Sequence, residues 1–422
     1  MSETPGRAGE DSPLRASISR HIWRTKYRQG PGEAEADITA TWRRVAGALA
    51  AVEPRDPEGW QRRFESALSG FGFLPAGRIL AGAGTGARVT LFNCFVMGRI
   101  EDSMEGIFEG LKEGALTMQQ GGGVGYDFST LRPRGAVTGH TRTIASGPVS
   151  FMDIWDAMCG TVLSTGARRG AMMATLRCDH PDIEEFVDAK REPGRLTRFN
   201  VSVQATDAFM EAVRSDAEWP LVFPDHALEA EEGEDERVLR QWPGYPEPVS
   251  CRVVRRVRAR ELWHRIMRAT YDTAEPGVLF VDRVNHWNNL GYREHITATN
   301  PCGEEPLPPY GSCNLGSINL TAFVREPFSD RARLDLDGIR RLVPTAVRML
   351  DNVTDASRFP LAKQREVERG NRRVGLGITG LGDALIMLGL HYGEEAGRER
   401  AREAMACITA AAYRASVALA EE

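Results

Sequence analysis

The chain has 422 residues, 42% hydrophobic and 26% charged, with 53 Lys and Arg against 58 Asp and Glu and a formal net charge of −5. This composition suits a globular protein of one large or two to three smaller domains. No sustained Lys/Arg block occurs apart from scattered pairs such as Arg168-Arg169 and Arg255-Arg256, which argues against wrapping a nucleic-acid backbone but leaves free nucleotides as partners.

No run of 18 apolar residues occurs, and the N-terminal MSETPGRAGEDSPLR is polar, so neither a membrane span nor a secretory signal is expected and the chain reads as cytoplasmic. The seven cysteines (Cys94, Cys159, Cys178, Cys251, Cys302, Cys313 and Cys407) are thinly spread, and none forms a C-x-x-C pair. No structural metal site is expected, and a disulfide in a reducing compartment would be transient and catalytic.

Residues 1–18, rich in Gly, Pro, Ser and charge, read as a disordered tail. A helical region follows over 19–73, where Ile38, Trp42, Val45 and Leu49 share one helical face and Trp60, Phe64 and Leu68 another. From residue 74 the texture is α/β. PAGRILAGAGT reads as a glycine-rich loop, VTLFNCFVM as a strand, and DSMEGIFEGLKEGALTM as a helix capped by Asp102 or Ser103. The core face of that helix is expected to hold Met104, Ile107, Phe108, Leu111, Ala115 and Met118. A helix over 151–163, a strand at ATLRC, a helix from Pro181 and further helices near 259–273, 342–351 and 380–388 follow, and the segment from Glu394 on is helical to its last residue. Asp225 to Pro248, acidic and aperiodic, reads as a surface excursion. Strands alternating with helices predict a largely parallel sheet.

The chemistry concentrates in TNPCGEEPLPPYGSCNLGSINL, Thr299 to Leu320. If this loop is extended, Asn300, Cys302 and Glu304 project to one side. They then place a thiol between an amide and a carboxylate, with Pro301 biasing Asn300 toward extended backbone. A carboxylate beside a thiol raises its pKa, which suits one-electron chemistry on a neutral thiol better than a thiolate nucleophile.

NPCGE, followed eleven residues after its cysteine by CNLGSINL, resembles the finger loop of ribonucleotide reductase catalytic subunits, in the form of the adenosylcobalamin-dependent class. FLPAGRILAGAGT, TLFNCFVM, TMQQGGGVGYDFSTLRPRGA, GARRGAMMATLRCDHPDIEEF, FNVSV and RVGLGITGLGDAL extend the resemblance in order, from about Ile18 onward. It implies a helical N-terminal region followed, over 74–422, by part of a ten-stranded α/β barrel: the first half, the finger loop near 299–315 and the start of the second half. Cys302 would carry a thiyl radical that abstracts the 3′ hydrogen of a ribonucleotide, with Glu304 taking the 3′ hydroxyl proton and Asn300 holding the ribose hydroxyls. Cys94 and Cys313 would be the reducing pair that ends each turnover as a disulfide, restored by a thioredoxin-like reductant. Asn93, Gly123, Pro301 and Gly303 would line the substrate.

The same resemblance places a deoxynucleotide or ATP effector against Asp102, Ser103, Arg132, Arg168 and Arg169. It also implies adenosylcobalamin as cofactor, and a homodimer formed through the helix after Asp102. The later barrel strands and the family's phosphate-binding turn are not found, so a complementing C-terminal reductase chain is expected as a partner. The alternatives are a non-catalytic nucleotide-binding regulatory module and an inactive truncated fragment.

Overall fold

A computed structural model describes residues 13–30, 35–137, 144–162, 170–228 and 236–422. Helix α1 (Ser17–Ile22) continues as a π-turn, and α2 (Ile38–Ala50), α3 (Pro57–Leu68), β1 (Phe73–Pro75) and α4 (Gly77–Gly82) follow. Then come β2 (Cys94–Val96), α5 (Met104–Gln119), β3 (Gly123–Asp127), α6 (Pro148–Thr161), β4 (Met172–Arg177), α7 (Ile183–Asp188), β5 (Phe199–Ala205) and α8 (Asp207–Ser215). An antiparallel insert of β6 (Glu218–Pro224), β7 (Arg237–Arg240) and β8 (Val249–Arg258) leads to α9 (Ala259–Thr273), β9 (Gly277–Phe280) and α10 (Val281–His286). The remainder comprises β10 (Ala298–Thr299), β11 (Pro306–Leu307), β12 (Ser312–Asn319), β13 (Val324–Arg325), β14 (Arg333–Leu334), α11 (Leu336–Ala356), α12 (Ala362–Asn371), β15 (Val374–Thr379), α13 (Leu381–Met387) and α14 (Glu395–Glu421).

These elements form two compact units. The first holds residues up to Asn93, Cys313–Phe359 and Glu368–Glu422. Its core is built by the stripes seen in the sequence: Trp42, Val45 and Leu49 of α2 and Phe64 and Leu68 of α3 are buried, as are Val343 and Leu350 of α11. Strand β12 pairs antiparallel with β1 and parallel with β15. Gly316 in β12 has no side chain because an added Cβ would fall 2.4 Å from the Phe73 ring.

The second unit, Cys94–Ser312 with Pro360–Val367, carries the sheet β2-β3-β4-β5-β9, parallel throughout. Every residue of β4 is buried, the mark of a strand covered on both faces. Five parallel strands alternating with helices are the half-barrel architecture that the motif order implies.

Several local expectations change. PAGRILAGAGT is not simply a loop: α4 forms because Ile79 is buried and Arg44 reaches over to its end, donating to the carbonyls of Leu80 at 3.0 Å and of Ala83. Tertiary capping here overrides weak propensity. The apolar face of α5 is divided, with Ile107 and Met118 buried but Met104 and Phe108 59% and 47% exposed. Ser103 alone caps α5, accepting from the Gly106 N–H at 3.0 Å. The stretch after Asp225 is partly core, since β7 pairs with β8 and Trp242 is buried against Phe223, its ring under the Arg177 guanidinium at 4.8 Å. At the N-terminus Leu14 is buried and α1 begins at Ser17. Among the described residues no helix is long and apolar enough to cross a membrane.

The first unit is pinned by a buried charge. Glu53 accepts from Arg348 at 2.7 and 2.8 Å and from Asn352 at 2.7 Å, while the Arg348 guanidinium lies 4.2 Å from the Trp60 ring centroid. Burial alone would raise the Glu53 pKa, but the hydrogen bonds and charge of Arg348 overcome it and hold the carboxyl below its ordinary 4.5. A depressed folded-state value means that this stabilisation is complete above pH 4.5 and is lost as the pH falls through the lowered value. Arg348→Met should strand the carboxylate and lower the unfolding free energy by about 3 kcal/mol in urea titration. The wild-type margin over that variant should narrow below pH 4.5.

Candidate active site

The cysteine loop is a short hairpin. Strands β10 and β11 pair in register Ala298 with Leu307 and Thr299 with Pro306, and the turn between them is Asn300–Glu305. The Asn300 N–H donates to the Glu305 carbonyl at 3.2 Å, and the Asn300 carbonyl accepts from the Gly303 N–H at 3.1 Å. Closing that turn puts Gly303 at φ +86°, a conformation glycine adopts without the penalty a Cβ brings. The segment is therefore not extended, and its side chains do not simply alternate. Asn300 is wholly buried, whereas Cys302 and Glu304 are exposed.

Burial makes Asn300 the anchor of the site. Its amide Nδ2 donates to the Sγ of Cys94 at 3.3 Å, and its Oδ1 accepts from the Glu305 N–H at 2.9 Å. The hairpin sits over β3 because Gly125 lacks a side chain: a Cβ there would lie 1.8 Å from the Thr299 carbonyl oxygen. On the far side Asn200 of β5 donates to the Pro301 carbonyl at 2.5 Å. Cys94 pairs with Gly123 at the β2–β3 edge, so two of the sequence candidates meet by register.

The electrostatics favour neutral thiols. Burial first, then the charges of Glu304 and Glu305, raise the Cys302 pKa above its ordinary 9.0. Burial pushes Cys94 much further up, with Glu305 and Glu304 adding to it and only the Asn300 hydrogen bond opposing. Cys94, Glu304 and Glu305 offer ligand atoms within 4.8 Å of one another, a set able to share a cation or to move protons beside a thiol. Of the seven cysteines, all among the described residues, Cys302 is the exposed one.

Other candidates fall elsewhere. Cys313 is buried in β12 of the first unit, its Sγ donating to the Asn314 carbonyl at 3.4 Å and facing Gly375. Asn93, half-buried, is the last residue before β2. Asp102, a possible cap in the sequence, instead binds Arg132: Nε to Oδ2 at 2.8 Å, with the Arg132 N–H on Oδ1 at 3.2 Å. The two effector candidates thus hold each other. Arg168 and Arg169 lie outside the described residues.

Three contributors escape sequence reasoning. Glu305, beside the chosen Glu304, is the buried one of the two. Gly125 is one of several glycines in GGGVG, and nothing local distinguishes it. Asn200 within FNVSV carries the sole hint, a polar residue interrupting an apolar strand.

Gly125→Ala should lift the hairpin from β3 and cost about 2–3 kcal/mol, because the opposing atom is backbone. Thiol labelling with mass mapping should then show Cys94 reacting faster than in the wild type. In the unaltered chain, Cys302 alkylation should still be accelerating above pH 9.0, where an unperturbed thiol is already half ionised.

Family models match most of the chain: "Ribonucleotide reductase, all-alpha domain" over residues 14–88 and "Ribonucleotide reductase, barrel domain" over 92–422. A vitamin B12-dependent ribonucleoside-diphosphate reductase of Thermoplasma acidophilum is 40% identical over 361 residues, 85% of this chain and 43% of that protein. One from Mycobacterium tuberculosis is 40% identical over 379 residues, 90% of this chain and 50% of its own length. The ribonucleoside-diphosphate reductase subunit alpha of Chlamydia pneumoniae is 28% identical, with 90% of this chain and 37% of that subunit covered. The chain spans about half the length, or less, of these relatives. With the barrel model aligned from the residue before Asn93 through the hairpin to Glu422, the chain belongs to the ribonucleotide reductase family.

Proposed function

We propose that this chain carries the radical-bearing part of an adenosylcobalamin-dependent reductase that converts ribonucleotides, as diphosphates by analogy with the named relatives, to 2′-deoxyribonucleotides. The observation that carries the reading is the hairpin tip, where Cys302 stands exposed beside Glu304 while buried Asn300 ties the turn to Cys94. An exposed, protonated thiol fits a hydrogen-atom donor, and Cys302 is the residue that would face the cofactor. When bound, adenosylcobalamin supplies the one-electron oxidation of that thiol.

The resulting Cys302 sulfur radical forms an S–H bond as the ribose 3′ C–H bond breaks, and Glu304 takes the 3′ hydroxyl proton. Asn300, Gly123 and Asn93 are the proposed substrate-facing groups, with the Pro301 and Gly303 backbone shaping the wall. The 2′ oxygen leaves as water, with two electrons and two protons supplied as Cys94 and Cys313 pass from two thiols to one disulfide. Cys302 then returns its hydrogen to C3′, and Glu304 gives its proton back to the 3′ oxygen. A thioredoxin-like dithiol restores the pair by exchange.

Effector binding is proposed at Asp102, Ser103, Arg132, Arg168 and Arg169. A deoxynucleotide or ATP would exchange the Asp102 to Arg132 ion pair for contacts to its ribose hydroxyl and phosphate. The exposed apolar residues Met104, Phe108 and Leu116 on α5 support pairing with a second copy of the chain.

In the assembled reductase that contains this chain, with adenosylcobalamin and a dithiol, Cys302→Ala should lower deoxyribonucleotide formation about a thousandfold or more. Sustained turnover in that variant would refute the mechanism. Cys94→Ser or Cys313→Ser should limit product to at most one equivalent per site, and multiple turnovers would remove them from the redox role. Effector binding with no reduction under any of these conditions would instead favour a regulatory nucleotide-binding module.

A further inference from the structure

We propose that Tyr310 is a positioning residue for the radical cysteine, clamping the return limb of the hairpin to the sheet through a phenol held between Glu113 and Lys363. The proposal rests on the reductase reading for its purpose, but on geometry for its existence. The Tyr310 hydroxyl donates to Glu113 Oε2 at 3.0 Å and accepts from Lys363 Nζ at 3.1 Å. The same ammonium lies 4.9 Å from the ring centroid. The ring itself rests on Gly98, where an added Cβ would fall 2.2 Å from ring atoms. Both polar partners are set in place independently. Glu113 projects from α5, and Lys363 precedes Gln364, whose wholly buried amide donates to Thr117 of α5 at 3.1 Å.

Tyr310 is also held at φ +61°, unusual for a bulky side chain. Such a conformation persists where surrounding contacts over-determine it, and it recurs at sites whose geometry matters. The next residue, Gly311, offers its carbonyl to the Val96 N–H at 2.9 Å, two positions beyond Cys94 on β2. The clamp therefore joins the strand bearing Cys94 to the limb that runs back, through the β10–β11 ladder, to Cys302. Glu113 lies on the helix that Ser103, the neighbour of Asp102, caps, so a shift of α5 would reach the hairpin through this phenol. Nothing in the sequence assigns Tyr310 a role in substrate contact. Its hydroxyl is wholly engaged with protein groups.

The test uses Tyr310→Phe, which keeps the ring against Gly98 and removes only the hydroxyl. Hydrogen exchange on this chain should show the amides of residues 302–312 opening about tenfold faster, as expected for loss of one charge-assisted hydrogen bond. In the assembled reductase, kcat should fall about tenfold with KM within twofold, since substrate contacts remain. Glu113→Gln, which keeps an acceptor, should lie between the two, a graded rescue that general destabilisation would not give. Wild-type exchange and turnover in Tyr310→Phe would overturn the clamp. Faster exchange in Tyr310→Phe, combined with full turnover in Cys302→Ala, would retain the clamp and overturn only its link to radical chemistry.

Discussion

The buried amide of Asn300 is the contact around which the site is organised. It has two polar ends and satisfies both locally, one on the thiol of Cys94 and the other on the N–H of Glu305. An amide taken wholly out of water and left unbonded would be costly, so each bond fixes a partner as much as it satisfies a group. The presentation of Cys302 depends on this, because the turn that carries the thiol is closed by the backbone of the same residue.

Around that anchor, close approach is achieved by omission. Gly125 admits the Thr299 carbonyl, Gly303 admits the left-handed turn, and Gly98 admits the Tyr310 ring. None of these glycines contributes a functional group, yet Gly125 and Gly98 set distances that no side chain would allow, and Gly303 a backbone angle that a Cβ penalises. Burial, with the charges of Glu304 and Glu305 adding to it, completes the setting by raising the pKa of the neighbouring thiols. A neutral S–H bond can donate a hydrogen atom, whereas a thiolate would compete as a nucleophile.

The effector candidates show a different economy. Asp102 and Arg132 are paired with each other, at partly exposed positions, where an ion pair contributes little to stability. A pair of that kind can be exchanged for ligand contacts at small cost. In contrast, Glu53 is buried, and it and the part-buried Arg348 are tied to Asn352 and Trp60, which marks them as framework.

Much of this was legible in the chain itself. Helical stripes such as Trp42, Val45 and Leu49 are periodic and local, so their burial follows from spacing, and the run NPCGE with CNLGSINL carries the family resemblance in contiguous residues. Fold class and family therefore came from sequence alone, and so did the choice of Cys302 as the candidate radical carrier. Tertiary structure decided what depends on distant partners: that the hairpin turns rather than extends, that Glu305 is buried while Glu304 is not, that Asp102 binds Arg132 instead of capping α5, and that α4 forms under Arg44. Each of these is a competition between local preference and a contact tens or hundreds of residues away, such as Asn300 with Cys94. Spacing along the chain holds no record of that distance, which exists only once the strands are in register.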